Sequence, residues 1–148
     1  MDDRFKMKGY ADITLFGPDG SIKDTRHVEN LITTAGFDGI CQRGFSTQTG
    51  SASFNYIAIG SGVTAASTAN TTLGSEAARA QGTYAHTDAK ANLSLTNTFA
   101  AGTATGSIAE YGVLNASSTG QLLNRATFGV ITKGAADSLQ LVVAFSLS

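Results

Sequence analysis

Between residues 8 and 16 apolar and polar side chains alternate. Ala11, Ile13 and Leu15 fall on one face, with Tyr10, Asp12, Thr14 and Phe16 on the other. A two-residue period marks a strand with one buried face. Residues 22–28 form a second extended run. Between the two, Gly17-Pro18-Asp19-Gly20 supplies a preset negative φ at proline and a glycine for a positive one. Strand, turn and strand predict a hairpin. Residues 54–59, Phe-Asn-Tyr-Ile-Ala-Ile, predict another strand. From residue 79 extended runs recur at 79–87, 90–99, 107–115, 121–132 and 138–147, divided by turn sequences such as Ser117-Ser118-Thr119-Gly120. In the last run Leu139, Leu141, Val143, Phe145 and Leu147 alternate with Gln140, Val142, Ala144 and Ser146.

The segment 30–43 breaks this rhythm and predicts the one helix, short and placed near 33–43. Thr33 or Thr34 caps it, and Phe37, Ile40 and Cys41 recur on one face at helical spacing. Gly36 and Gly39 each weaken a helix interior by about 1 kcal/mol. On that face Cys41 is expected to be a small buried hydrophobe. About eight strands and one short helix define an all-β fold, an antiparallel, jelly-roll-like sandwich. Residues 1–8 read as an N-terminal arm and 9–148 as a single domain.

Composition sharpens the picture. A chain of 148 residues suits one domain, and at that length roughly 68–70% of the unfolded surface can be buried without a metal or disulfide staple. Gly, Ala, Ser and Thr make up 72 of the residues, whereas charged residues are 14%, against about 25% in soluble domains. Thirteen of the 21 charges lie in residues 1–43, leaving eight for the other 105. A dispersed monomer normally carries more, so this bland body implies a surface covered by other chains. A net charge of −1 excludes a strongly basic nucleic-acid binder. No apolar run reaches the ~18 residues of a membrane span. The acidic start Met1-Asp2-Asp3 is unlike a signal peptide, and the lone Cys41 fits synthesis in a reducing cytosol.

Candidate chemistry is sparse. Gly60-Ser61-Gly62-Val63-Thr64-Ala65 follows a strand and matches a dinucleotide fingerprint on paper, but no apolar helical stripe or βαβ alternation follows, so it reads as a strand-to-loop exit. The polar stretch 60–80 is long for a structureless connection and implies a function or a partner; Leu73 is expected to pin it. His27 and His86 are expected on strand surfaces. His86 and Asp88 share a strand face, yet two ligands do not close a metal site. Glu110 and Arg125, in neighbouring strands across the Ser117–Gly120 turn, read first as a cross-strand ion pair and second as a subunit contact. Nothing assembles a catalytic set, so the chain reads as a non-enzyme without cofactor or metal. In the arm, Arg4, Phe5, Lys6 and Lys8 suit docking to a neighbouring subunit.

The run Ile108-Ala109-Glu110-Tyr111-Gly112-Val113-Leu114-Asn115, a Ser/Thr/Gly turn, Leu122-Leu123-Asn124-Arg125-Ala126-Thr127-Phe128, then Lys133 and Asp137-Ser138-Leu139, resembles a β-rich module of tailed-bacteriophage virion proteins. Similar to the same family are Tyr56 to Thr64 with its Gly60-Ser61-Gly62, Leu73-Gly74-Ser75-Glu76, the opening hairpin and Val28 to Gly36, so the likeness spans about residues 10–147. It implies a structural virion protein without catalysis. Decoration proteins of this build are jelly-roll-type sandwiches that trimerise over a capsid's local three-folds and reach neighbours with terminal arms. The chain has no heptads or shaft repeat of a full fibre, which favours the capsid. The expectation is therefore a decoration (cement) protein, made in the bacterial cytoplasm and bound to the major capsid protein as a homotrimer, with neither nucleic acid nor membrane as partner. The alternative is a tail-fibre, collar or receptor-binding module. Its recognition loops would be 60–73 and 42–53, which hold only one aromatic residue, Phe45.

Overall fold

The computed structural model describes residues 4–46 and 52–148. Among these, ten strands and one helix follow one another as β1 (Met7–Phe16), β2 (Ile22–Glu29), β3 (Leu31–Ile32), α1 (Thr34–Phe45), β4 (Tyr56–Gly60), β5 (Glu76–Gln81), β6 (Thr83–His86), β7 (Asn92–Phe99), β8 (Gly106–Leu114), β9 (Leu122–Lys133) and β10 (Ser138–Leu147). They form two five-stranded antiparallel sheets, ordered β2-β1-β10-β7-β6 and β3-β9-β8-β4-β5. The all-β sandwich with one short helix is what the periodicity predicts. The pairing is nested: β1 with β10, β3 with β9, β4 with β8, and β6 with β7.

The alternation reads directly into the core. Ala11, Ile13 and Leu15 are buried, and so are Leu139, Leu141, Val143 and Phe145 on the partner strand, which meet Ile57, Ile59, Ile108 and Ile131 of the other sheet. β8 is buried at every position from Ile108 to Leu114, consistent with its place between β9 and β4.

Two strands exceed the expected count. The run 79–87 divides at Gly82, so that β5 and β6 belong to different sheets. Gly82 donates its N–H to the Asn55 carbonyl at 2.7 Å, and a Cβ there would lie 3.3 Å from both Ile57 and Leu95. The missing side chain lets one strand turn the corner between the sheets. The other addition is β3, two residues that pair with Arg125 and Asn124 of β9.

Helix α1 is capped by Thr33, whose hydroxyl accepts from the Gly36 N–H at 2.9 Å. The face it buries only partly matches the one that hydrophobicity predicts, since Ile40 packs against the core but Phe37 and Cys41 do not. Gly36 lies on the backbone of Leu123 and Gly39 on the ring of Phe54, and these two glycines are its buried residues. Close approach of a helix to a strand needs positions without a Cβ. Packing on that side turns Phe37 and Cys41 away, so Cys41 is exposed rather than buried.

Candidate docking surface

The uncovered side of α1 forms a wall of an open cleft. It holds about 850 Å³ between the helix and the inner face of the β1-β10-β7-β6 sheet, at the sandwich end where β1 begins and β10 finishes. Phe37, Cys41 and Phe45 sit at i, i+4 and i+8, and all three line it together with Phe5, Phe54 and Tyr84. Large apolar side chains stand in solvent here: Phe45 is 86% exposed, Tyr84 60%, Phe5 54% and Phe37 37%. Arg43 is the only charged residue among the described ones that line it. Exposed apolar patches of this kind are where proteins meet partners, ligands or membranes.

The arm residues gather near this end. Phe5 sets its ring edge-on to Phe37, centroids 6.4 Å apart. Lys6 extends the β1–β10 ladder, donating its N–H to the Ser148 carbonyl at 2.6 Å and accepting from the Ser148 N–H at 2.9 Å. Lys8 lies inside β1 and is exposed. Arg4 is exposed as well. The side chain that meets the cleft is Phe5.

The opposite end is closed by charge. Lys133 is wholly buried and donates to the carbonyls of Ala100 at 3.0 Å and Asp137 at 2.7 Å. Burial lowers its ammonium below the ordinary lysine value, an effect that Asp137 opposes. The Asp137 carboxylate accepts from Lys23 Nζ at 2.9 Å and from the Gly134 N–H at 2.8 Å, and these bonds hold it below the usual carboxylate range.

Glu110 and Arg125 meet as the sequence predicts, with Arg125 Nε donating to Glu110 Oε2 at 2.9 Å and both side chains buried. They sit diagonally, since the register sets Glu110 against Thr127 and Arg125 against Gly112. The carboxylate does more than pair. It accepts backbone N–H bonds from Gly62 at 2.9 Å, Gly74 at 2.8 Å and Ser75 at 2.7 Å. Burial pushes the carboxyl up, but the N–H donors of Ser75 and Gly74, then Arg125 and Gly62, outweigh it and hold it below its ordinary value. The Gly60-Ser61-Gly62 backbone therefore does approach an anion, and the anion is Glu110. A Cβ at Gly62 would collide with that carboxylate. Leu73 is buried with Ala58, Leu114 and Leu122, which pins the loop from its other side.

His27 is exposed, with Nδ1 2.7 Å from Asp12 Oδ1 and its ring 4.7 Å from Tyr10. His86 is exposed on β6, Nδ1 2.6 Å from the Asn92 carbonyl. Asp88 lies in the turn beyond β6, so the strand face expected to carry both ends before reaching it. Among the described residues no three His, Cys, Asp or Glu side chains cluster as metal ligands, and no helix is long and apolar enough to cross a membrane.

Hydrophobic periodicity finds Phe37 and Cys41 but assigns them to the core. Phe45 and Tyr84, from the end of the helix and an edge strand, escape it. The available signal is the Gly36/Gly39 pair, which occupies the packing face and leaves the apolar stripe for something else. No protein-family model matches the chain, and no curated protein or solved structure matches it either.

Proposed function

We propose that this chain is a structural subunit of a tailed-bacteriophage virion, a decoration protein that docks as a homotrimer on the outer lattice of major capsid subunits. The observation that carries the reading is the aromatic cleft beside α1, with Phe45, Tyr84 and Phe5 in solvent. Covering those rings removes apolar surface from water at roughly 25 cal/mol per Å² before the costs of association. The sparse charge outside residues 1–43 supports a surface covered by other chains, and the virion class itself is drawn from the resemblance that the sequence of residues 10–147 carries. A subunit that binds the assembled lattice but not free capsid protein stabilises the assembly by mass action.

Antibody labelling of tailed-phage particles released from cells that produce this chain, with light scattering on the purified protein, tests this. Label spread over the head and a trimer in solution are the expected results. Label confined to one vertex would transfer the chain to the tail or collar. Virions without label would end the proposal.

A further inference from the structure

Each sheet of an open sandwich leaves two edges whose backbone N–H and C=O groups can pair with another chain, and proteins usually blunt them with charge, brevity or cover. Three of the four edges here are blunted. β2 carries Lys23, Asp24, Arg26 and Glu29, and Arg26 reaches across to the Gly129 carbonyl of β9 at 3.0 Å. β3 is two residues long, runs into α1 and pairs only with Arg125 and Asn124 of β9, whose later residues meet Arg26 on that side. β5 carries Glu76 and Arg79. The fourth, β6, reads Thr83-Tyr84-Ala85-His86, with no Asp, Glu, Lys or Arg and exposed at every position. Among the described residues no strand pairs with this edge, and it borders the aromatic cleft, whose lining includes Tyr84 and, from the adjacent β7, Leu93.

We propose that β6 takes up an extended segment of a partner chain as a sixth strand of its sheet, with alternate apolar side chains of that segment entering the cleft. Residues on neighbouring strands share a face with those opposite them. Every second residue of an added strand thus lies beside Tyr84 and His86, whose rings face each other at 6.4 Å. Backbone pairing gives such docking its affinity and the alternate pockets its specificity. Arg43, the charged lining residue, selects a segment that also carries an acid. The chain's own residues outside those described are poor in the apolar side chains that such a segment needs. Residues 47–51 are Thr-Gln-Thr-Gly-Ser and residues 1–3 are Met-Asp-Asp, a single apolar side chain in all. A second copy presenting the same face would bring one concavity to another. A protruding strand of a different protein fits the shape.

The proposal rests on the docking reading of the cleft and is independent of the virion assignment. The chain contains no tryptophan, so a tryptophan in a probe reports alone. The probe is the peptide Thr-Leu-Thr-Trp-Thr-Val-Asp, blocked at both ends, together with two forms N-methylated along one edge or the other. Strand addition predicts a blue shift of tryptophan emission on binding. It also predicts that one N-methylated form binds at least about tenfold more weakly while the other is unaffected, because a strand presents only one edge to β6. Phe45→Lys, at a solvent-exposed position, should abolish the shift without unfolding the protein. Equal binding by all three peptides, or by none, would overturn the proposal. So would a dimer in sedimentation velocity that Tyr84→Lys dissociates, since the second copy would then be the occupant. Peptide binding with no label on virions would sink the virion assignment and leave this inference standing.

Discussion

At the scale of single residues, Glu110 does the most structural work. It is one buried carboxylate serving three backbone N–H donors and a guanidinium. Replacing it with glutamine leaves Arg125 buried without its counter-charge, a loss of about 3–5 kcal/mol in comparable buried pairs. Denaturant unfolding should show it. Glu110→Leu with Arg125→Met removes both charges and should cost less than the single change, because no orphan ion remains. The carboxyl also sets an acid response. Its folded value lies below the ordinary 4.5, so its contribution is complete above that pH and drains away as pH falls through the lower, folded value. Thermal midpoints should therefore hold level from neutral pH to about 5 and fall below about 4.5, and the pair-deleted variant should fall less steeply.

Among the elements, α1 separates what the sequence discloses from what it hides. Strand periodicity depends only on which face meets the core, so β1 and β10 were legible to within a residue. Thr33 announces its cap through its hydroxyl, a local interaction. The helix face was legible only at Ile40, which packs against the core, because hydrophobicity ranks Phe37 and Cys41 above Gly36 and Gly39, while packing against Leu123 and Phe54 rewards the absence of a Cβ. Gly82 was hidden for a related reason: a corner between sheets leaves no mark in a run of strand-forming residues. The role of Glu110 in the loop was equally unreadable, since its three donors lie 35 to 48 positions away. The helix supplies a paired prediction. Gly44 has open space around a Cβ, so Gly44→Ala should stabilise by about 0.5–1 kcal/mol through helix propensity. Gly36→Ala makes the same propensity gain but drives a methyl into the Leu123 backbone, and it should destabilise. Chemical denaturation of the two variants gives opposite signs if the glycine face is the packing face.

Across the whole molecule the two ends of the sandwich differ in chemistry, and that difference separates stability from docking. One end is sealed by Lys133, Asp137 and Lys23, all satisfied within the chain. The other opens on aromatic rings that the chain leaves partly in water. A group bonded inside its own fold contributes to folding, whereas a ring left in solvent contributes only when something covers it. Lys133→Met withdraws the donor from the Ala100 and Asp137 carbonyls. Unmet buried acceptors cost about 1–3 kcal/mol, a fall in melting temperature of roughly 3–10 °C for a domain of this size. Because Lys133 lies at the far end, attachment to particles below the new midpoint should not change. Phe45→Lys should do the reverse, keeping the melting temperature within about 2 °C, since surface changes usually stay within ±0.5 kcal/mol, while attachment is lost. Melting curves and particle co-sedimentation on the two variants read the two effects separately. If Phe45→Lys melts early, or if Lys133→Met detaches while still folded, then the aromatic end belongs to the fold rather than to a partner.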